Sequence, residues 1–420
     1  MTRGHLAILY VGLLLRVSVG SLRVVGSSVT MVHSGTAASA MMSVVRVRYF
    51  GLAGLLAMSV GIGMAGLLTI SAGAGANVQD LVAPDGFTIS VLSDDVPNAR
   101  QMALSDAGTL FVGTRRAGKV YAIANALGSS PAKPITLAKG LTMPSGVAVR
   151  GADLYVGAVD RILRFANVEK NLSRNANFDV VTDQLPDKTY HGWKHLGFGP
   201  DGSLYFAVGA PCNICLSEDP RFASILSMDP LSGDTTVYAS GIRNTVGFDW
   251  HPVTQELWFT DNGRDMLGDD VPFEEVNVAS RPGLHFGFPF VHGGDLPDPK
   301  FGTDADPATY VLPTIKIQAH SAALGVGFYT STQFPEKYLN ALFIAEHGSW
   351  NRSNKVGYRV SVVTFDKAGS TYAPFVTGWL DGQKNWGRPT DVLMAPDGSL
   401  LISDDQAGAI YRVRYTNSQD

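Results

Sequence analysis

One repeated pattern limits the fold of this chain more than any other feature. An apolar strand is followed by a turn, often Pro-Asp-Gly, and then by a second strand that begins with leucine. The leucines that begin these second strands are Leu110, Leu154, Leu204, Leu257, Leu342 and Leu400. Short strands repeated at intervals of 44, 50, 53, 85 and 58 residues are typical of propeller blades. The sequence therefore predicts an all-β fold, a six-bladed β-propeller of four-stranded antiparallel blades.

The longest interval predicts an insertion over roughly 265–318, which is rich in Gly, Pro and Asp. Just before it, two apolar runs meet at a Pro-containing turn and form one hairpin of a blade. Arg243-Asn244 precede this hairpin, and the polar loop 261–270 follows it. Residues able to do chemistry thus lie where strands pass into loops.

Loops at one end of a propeller form a shared mouth around the central channel. Polar residues occupy equivalent blade ends at His191, Arg243-Asn244, His347 and Arg388. A single histidine at a strand end is more often a packing or hydrogen-bonding residue. Four such positions at matching ends predict one shared site.

The first 76 residues contain five Arg and no Asp, Glu or Lys. Within them, Arg46 and Arg48 precede an apolar run from Phe50 to about Ile70, and Ala74-Gly75-Ala76 provides small residues for cleavage. This order predicts a signal peptide removed after Ala76 and a periplasmic or secreted protein. The alternative is a retained membrane anchor, because about twenty apolar residues can span a bilayer.

Without residues 1–76 the chain is acidic. The full sequence carries 33 Lys and Arg against 37 Asp and Glu, so residues 77–420 carry 28 against 37, a net charge of −9. Nucleic-acid binding needs a basic face and is therefore not expected. No Gly/Ser- or Pro-rich linker divides residues 77–420, so we expect one propeller domain there, without stable membrane insertion.

The segments HGWKHLGFGPDGSLY, GIRNTVGF, TDNGRDMLGDD, AEHGSWNRS and GRPTDVLMAPDGSLLISDDQAGAIYRV together resemble the glucose/sorbosone dehydrogenase family, and are most similar to its sorbosone dehydrogenase-like branch. The resemblance covers most of residues 85–415. Members of this family are exported quinoproteins that bind pyrroloquinoline quinone (PQQ) on a six-bladed propeller. The resemblance therefore implies a PQQ- and Ca²⁺-dependent dehydrogenase.

By this resemblance His191 is the general base that takes a proton from the sugar hydroxyl while hydride passes to the quinone. An imidazole of ordinary pKa near 6.5 suits that role. Arg243 would stabilise charge on the quinone oxygens, and Asn244 would donate to the cofactor. Arg388 would pair with a PQQ carboxylate, for which a guanidinium fork is well shaped.

The same resemblance assigns calcium binding to the backbone carbonyls of Gly263 and Arg264, because calcium favours hard oxygen ligands. The alternative for loop 261–270 is a solvated acidic loop without metal. The family also uses a cofactor lysine, whose counterpart here is Arg352 or Lys355, and we favour Arg352. Thr390 stands where soluble glucose dehydrogenases carry a second arginine, and Ala210 replaces an aspartate.

Two further histidines, a second role for His347 and a cysteine pair complete the candidates. His320, before the fifth blade, and His347 are assigned to cofactor binding, whereas His195 is expected to be a packing residue. Cys212 and Cys215 are the two cysteines of the chain, and in an exported protein they predict a local disulfide. A zinc or redox role is the alternative, and haem attachment is excluded because Leu216 follows Cys215.

The leading hypothesis is oxidation of a sugar or sugar-derived aldehyde to an acid or lactone. The chain has no haem or flavin motif, so electrons would pass to an external acceptor, a cytochrome c or a quinone. One alternative is a calcium-dependent propeller lactonase, which needs side-chain carboxylates converging on the axis. The other is a non-catalytic propeller that binds glycans or proteins, for which His and Arg at matching blade ends would have no purpose.

Overall fold

The structure, a computed structural model, describes residues 21–25, 28–32 and 77–416. The chain divides into two units, residues 1–70 and 71–420. In the first, strands β1 (Ser21–Val25) and β2 (Ser28–Val32) form an antiparallel hairpin. The predicted signal peptide, its apolar run and its cleavage site lie outside the described residues. No helix in the described ranges has the length and apolar character needed to cross a membrane.

The second unit is a ring of four-stranded antiparallel blades, as the sequence predicts. After the 3₁₀ helix η1 (Val78–Asp80), strand β3 (Phe87–Ser93) joins the last blade. Blade 1 contains β4 (Ala99–Leu104), β5 (Leu110–Thr114), β6 (Lys119–Ile123) and β7 (Ile135–Lys139). Blade 2 contains β8 (Gly146–Arg150), β9 (Asp153–Gly157), β10 (Ile162–Phe165) and, after η2 (Val168–Asn171), β11 (Asp179–Thr182).

The middle blades hold the central part of the chain. Blade 3 contains β12 (Leu196–Phe198), β13 (Leu204–Val208), β14 (Ser224–Met228) and β15 (Thr235–Ser240). Blade 4 contains β16 (Phe248–Trp250), β17 (Leu257–Asp261) and β18 (Glu274–Ala279). Between β18 and the fourth strand of this blade lie β19 (Leu284–His285), β20 (Val291–His292), β21 (Leu296–Pro297) and η3 (Pro307–Thr309), and β22 (Ile315–Ile317) then completes it.

The insertion is therefore shorter than the sequence pattern indicates. The range 265–318 was too wide, because β18 and β22 inside it are the outer strands of blade 4. Strand β18 begins with two glutamates, Glu274 and Glu275, and so does not resemble an apolar strand. Part of the true insertion returns to blade 3, where β19 pairs in parallel with β15.

The last two blades close the ring. Blade 5 contains β23 (Ala323–Phe328), β24 (Leu342–Glu346), β25 (Arg359–Asp366) and β26 (Gly369–Val376), with η4 (Glu336–Tyr338) before β24. After the hairpin β27 (Leu380–Asp381) and β28 (Lys384–Asn385), blade 6 contains β29 (Pro389–Met394), β30 (Leu400–Asp404), β31 (Ala409–Tyr415) and the early strand β3.

The hydrophobic core lies between adjacent blades, in six clusters, one for each pair of neighbours. Strand β5 shows why its whole sequence is apolar. Side chains alternate between the two faces of a strand, so Leu110 and Val112 pack toward blade 6 whereas Phe111 packs toward blade 2. Both faces are covered, and each second strand therefore appears as a continuous apolar run.

Polar side chains bind the first strands of different blades to one another around the central channel. The Gln101 amide accepts from the backbone N–H of Val147 at 3.0 Å and of Leu196 at 2.8 Å. Asp391 of blade 6 accepts from Met102 N–H of blade 1 at 2.9 Å. Because these bonds cross blade boundaries, they hold the ends of the first strands in a fixed relation.

Candidate active site

A cavity of about 550 Å³ opens at one end of the ring. Most of its wall residues lie before or at the start of a first strand, or after a second strand, which is the end where the sequence places the polar residues. Of the residues predicted from the sequence, the cavity is lined by His191, Arg243, Asn244, Gly263, His320, His347 and Arg388.

His191 lies just before blade 3 and is buried, with one imidazole nitrogen bound to the protein. Its Nδ1 lies 3.0 Å from the carbonyl oxygen of Ala210, so Nδ1 carries the proton and Nε2 keeps a free lone pair. Burial first, and then the charges of Arg243 and Arg115, lower the pKa of His191 well below 6.5. The imidazole is therefore neutral at neutral pH and able to accept a proton.

Arg243 is held on every side of its guanidinium group. Nε donates to the backbone oxygen of Asn213 at 2.9 Å, Nη1 to the oxygen of Asn262 at 3.0 Å, and Nη2 to the Asn213 side chain at 2.9 Å. Nη2 also forms an ion pair with Asp265 at 3.1 Å. Its backbone N–H donates to Asp261, so the predicted arginine has one fixed position in the wall.

Asn213, which holds Arg243, lies between the two cysteines of the chain. Cys212 and Cys215 form a disulfide bond, as the sequence predicts. The disulfide constrains the loop after β13, and the Asn213 side chain also accepts from Asp265 N–H at 2.9 Å. This loop therefore connects the wall at Arg243 with the loop after β17.

The loop after β17 and the start of β18 bring Gly263 and the buried carboxyl group of Glu274 to the cavity, whereas Arg264 does not line it and pairs through its side chain with Asp298 at 2.5 Å. The carbonyl oxygens of Gly263 and Arg264 accept no hydrogen bond within the described residues. Glu274 accepts from Gly263 N–H at 2.8 Å. Burial raises the pKa of Glu274 to about 8. The Asn244 side-chain amide likewise makes no hydrogen bond to the described protein, and its buried oxygen has no partner.

A third wall contains His347, Arg388 and Arg100, and Asp405 pairs with His347 and Arg100. Arg388 donates from Nε to the carbonyl oxygen of His347 at 3.0 Å and from Nη2 to that of Gly348 at 2.6 Å. Burial lowers the pKa of His347 to about 4. Burial alone would raise the pKa of Asp405, but His347, Arg100 and Arg388 outweigh it and lower that pKa far below its usual range. A neutral His347 thus donates from Nε2 to an ionised Asp405 at 2.8 Å.

Other sequence candidates take different positions. His320 contacts the backbone oxygen of Gly268 through Nε2 at 2.8 Å, and its backbone lies in the left-handed region at φ 67°. Arg352 does not line the cavity, because its guanidinium group pairs with Asp270 at 2.9 Å. The Lys355 ammonium donates to Asn385 at 2.6 Å and also lies away from the cavity. His195 is a buried residue of the channel, as expected.

Part of the wall is not among the residues predicted from the sequence. The additional charged residues that line the cavity are Arg100, Arg115, Arg116, Asp265 and Glu274. Arg115 and Arg116 follow the second strand of blade 1 directly, as His347 follows that of blade 5. Their place at a strand end, like that of His347, therefore marks them as candidates for the same site.

The fold and the site define a class: a six-bladed propeller whose mouth is an arginine-rich cavity with a neutral histidine. A family model described as TrAA12-like matches residues 295–416. An uncharacterized protein of Borreliella burgdorferi is 33% identical over 351 residues, which cover 80% of this chain and 91% of that protein. The chain belongs to the same family as this relative. The resemblance to soluble PQQ-dependent sugar dehydrogenases is confirmed.

Other similarities are more local or more distant. A PQQ-dependent pyranose dehydrogenase of Coprinopsis cinerea is 30% identical over 128 residues, 26% of this chain and 17% of that enzyme. A calcium structure of the Trichoderma reesei AA12 enzyme superposes with a TM-score of 0.67 at 19% identity, covering 80% of this chain and 97% of that one. The holo PQQ domain of the Coprinopsis cinerea pyranose dehydrogenase gives 0.65 at 18%, with coverage of 80% and 97%. These structures confirm the fold, and none singles out a sorbosone branch.

Proposed function

We propose that this protein is a PQQ- and Ca²⁺-dependent dehydrogenase that oxidises a sugar or a sugar-derived aldehyde, of the aldose or sorbosone type, to a lactone or an acid. The observation that carries the proposal is His191. Its Nδ1–H is committed to Ala210, its Nε2 is free, and its lowered pKa keeps it neutral inside an arginine-rich cavity. A proton-accepting base beside fixed positive charge suits removal of a hydride and a proton from an alcohol.

The residues of the cavity fit PQQ, which is a planar quinone with three carboxyl groups. The volume of about 550 Å³ is in the range of ligand sites. Arg388 and Arg243 provide positive charge on two walls, and Arg388 has no carboxylate within ion-pair distance among the described residues. The unpartnered Asn244 amide adds a polar contact that a buried group needs. His320 and His347 border the same space, and Arg352 does not.

Calcium fits the loop after β17. The two uncommitted carbonyl oxygens of Gly263 and Arg264 are hard ligands of the kind that Ca²⁺ prefers. Within the described residues no three His, Cys, Asp or Glu side chains form a metal cluster, so ligands from the backbone and from the cofactor are the arrangement that suits this loop. The lactonase alternative needs converging carboxylates and is less well supported.

In this proposal each residue has a definite task. When bound, PQQ would accept the hydride and Ca²⁺ would polarise the quinone as a Lewis acid. Nε2 of His191 takes the proton of the substrate hydroxyl, and the Ala210 carbonyl holds the imidazole in the required tautomer. Arg243, fixed by Asn213 and Asp265, would stabilise negative charge on the quinone oxygens of bound PQQ. The electrons then pass to an external acceptor, a cytochrome c or a quinone, in the periplasm or outside the cell.

The test is reconstitution of the purified protein with PQQ and Ca²⁺, followed by dye reduction with a panel of aldoses and aldehydes. We expect saturable, Ca²⁺-dependent activity that His191→Ala lowers by about 10²–10⁴-fold, the usual contribution of a general base. PQQ affinity, measured by absorbance titration, should stay within a few-fold. His251→Asn, in the turn at the other end of blade 4, is the matched control and should keep full activity.

The proposal fails if PQQ neither binds nor raises thermal stability. If His191→Ala and the parent protein have equal activity, PQQ remains the assigned cofactor but His191 is not the general base. Removal of Ca²⁺ with a chelator should abolish turnover and lower PQQ affinity together, because both depend on the loop at Gly263.

A further inference from the structure

The cavity contains more positive charge than its own carboxylates balance. Five arginines face it: Arg100, Arg115, Arg116, Arg243 and Arg388. Arg100 is paired with Asp405 at 3.0 Å and Arg243 with Asp265 at 3.1 Å. Arg115 and Arg116 have neither an ion pair nor a hydrogen bond among the described residues.

Arg115 and Trp193 form a pair of donors without acceptors. The Arg115 guanidinium carbon lies over the Trp193 ring, 3.9 Å from its centre, which is a cation–π contact. Arg115 Nε and Trp193 Nε1 are both buried and have no hydrogen-bond partner, so the interior of this pair is unsatisfied. The Nη nitrogens of Arg115 also have no partner among the described residues, and unlike Nε they are not buried. Because Arg115 lines the cavity, a ligand that brings oxygen acceptors can bind these Nη nitrogens.

This donor pair lies on the side of the cavity where the proposed base is. The rings of Trp193 and His191 are 5.7 Å apart between centroids. The charge of Arg115 is also one of the causes that lower the pKa of His191. Burial and the nearby Arg100 and Arg116 lower the pKa of Arg115 itself to about 10, which still leaves it charged at neutral pH. Any substrate that delivers a hydroxyl to His191 therefore comes close to a charged, unpartnered guanidinium group.

We propose that Arg115 and Trp193 form an anion subsite for the substrate, and that the substrate is a sugar carrying an acidic group rather than a neutral sugar. A guanidinium fork binds a carboxylate or a phosphate through two parallel hydrogen bonds, and the Trp193 ring beneath it holds the guanidinium group in place. Arg116 is exposed at the rim of the cavity. Its charge attracts anions toward the cavity, although the rest of the chain is acidic. This inference rests on the proposed dehydrogenase function and names its substrate class.

The experiment compares glucuronate, glucose 6-phosphate and glucose as substrates of the protein loaded with PQQ and Ca²⁺. Glucuronate and glucose differ in a carboxylate, and the phosphate ester distinguishes the two anionic groups. We expect kcat/KM for one of the anionic sugars to exceed that for glucose. Arg115→Gln should lower this anionic-to-neutral ratio by on the order of 10–100-fold, as expected for loss of a charged hydrogen bond.

Two variants act as controls. Arg174→Gln removes the same charge from an exposed position outside the cavity and should leave the ratio unchanged. Arg115→Lys keeps the charge without the fork and should recover only part of the ratio. Folding of each variant is checked by thermal unfolding. Binding of the anionic sugar is measured by calorimetry on protein whose cofactor has been reduced, without an electron acceptor, so that affinity is obtained apart from turnover.

Three results would overturn the subsite. The first is a parent protein that prefers glucose and binds neither anionic sugar. The second is Arg115→Gln with an unchanged ratio. The third is an Arg115→Gln variant whose PQQ affinity falls tenfold while the anionic-to-neutral ratio of kcat/KM is unchanged. Arg115 would then be a cofactor ligand and not a substrate ligand. Failure of PQQ to bind at all refutes the proposed function instead, and calorimetry with glucuronate on the cofactor-free protein then still tests the subsite.

Discussion

At the scale of single residues, His191 is placed by a tight backbone fit rather than by a strand. Its backbone lies in the left-handed region at φ 49°, which is uncommon for residues other than glycine. A Cβ on Gly209, in the strand-end segment opposite, would lie 2.5 Å from the Cβ of His191. The absence of a side chain at position 209 therefore allows the imidazole to reach Ala210 and the cavity at the same time.

The lowered pKa of His191 gives a pH dependence with a definite sign. A base works in its deprotonated form, and burial with Arg243 and Arg115 nearby keeps His191 deprotonated at pH values where an ordinary histidine is half charged. We expect kcat/KM to stay level on acidification through pH 6.5 and to fall only below it. Arg115→Gln removes one of the causes, so it should move the acidic limb to higher pH.

A pH–rate profile of the reconstituted enzyme checks both statements, because kcat/KM reports ionisation of the free enzyme. An acidic limb at or above pH 6.5 in the parent protein would contradict the assignment of His191 as the base. The control variant Arg174→Gln, which loses the same charge at an exposed position, should leave the limb in place and so separates a local charge effect from a change in net charge.

At the scale of elements, the disulfide loop after β13 acts on the site through Asn213. Asn213 lies outside the strands and accepts hydrogen bonds from Arg243 through both its backbone oxygen and its side-chain oxygen. The side-chain oxygen also binds the backbone of Asp265, the ion-pair partner of Arg243. One short loop thus determines the position of the arginine and of its counter-charge.

Removing the disulfide should loosen Arg243 more than it destabilises the fold. For so short a loop, the chain-entropy model gives only about 2 kcal/mol of lost stability. We expect Cys212→Ser/Cys215→Ser to remain folded, with PQQ affinity and kcat each lowered by roughly three- to tenfold. Absorbance titration and turnover, compared with thermal unfolding, test this. A variant with normal PQQ affinity and normal kcat would show that the loop holds Arg243 without the bond.

The elements also show what the sequence can and cannot indicate. Second strands such as Leu110–Thr114 are identifiable because both faces are covered and the run is apolar throughout. Strand β18 is not, since Glu274 and Glu275 are buried there through hydrogen bonds to distant N–H groups. His191 and Arg388 could be predicted from their places at blade ends. The partners of Arg243 could not, because Asn213 and Asp265 come from different blades.

At the scale of the whole molecule, the first and last strands of the propeller pair with each other and so close the ring. Strand β3 near residue 90 pairs with β31 near residue 412 and completes the last blade. The site at the mouth depends on this closure, because Arg388 and Asp405 belong to blade 6 whereas Arg100 and Arg115 belong to blade 1. Clusters of buried side chains join blade 6 to both of its neighbours.

Phe87, the first residue of β3, stabilises the pairing that closes the ring. Its ring contacts Phe334, Phe375, Tyr338 and Tyr415, with centroid separations of 4.7, 5.0, 5.6 and 5.0 Å in edge-on arrangements. Edge-on aromatic pairs add to the burial of apolar area. Because the ring of Phe87 is only partly buried, we expect Phe87→Ala to cost about 2–3 kcal/mol, below the usual range for a fully buried aromatic.

Thr88→Ala is the matched control, since Thr88 is exposed on the same strand and the backbone pairing with β31 is kept. Phe87→Ala should lower Tm by several degrees, whereas Thr88→Ala should leave it nearly unchanged. Well below the transition, PQQ titration should give the same affinity for both variants, because Phe87 lies away from the cavity. Equal Tm values for the two variants would mean that β3 closes the ring through its backbone hydrogen bonds alone. A broadened unfolding transition of Phe87→Ala would instead show that blade 6 separates from the ring before the other blades unfold.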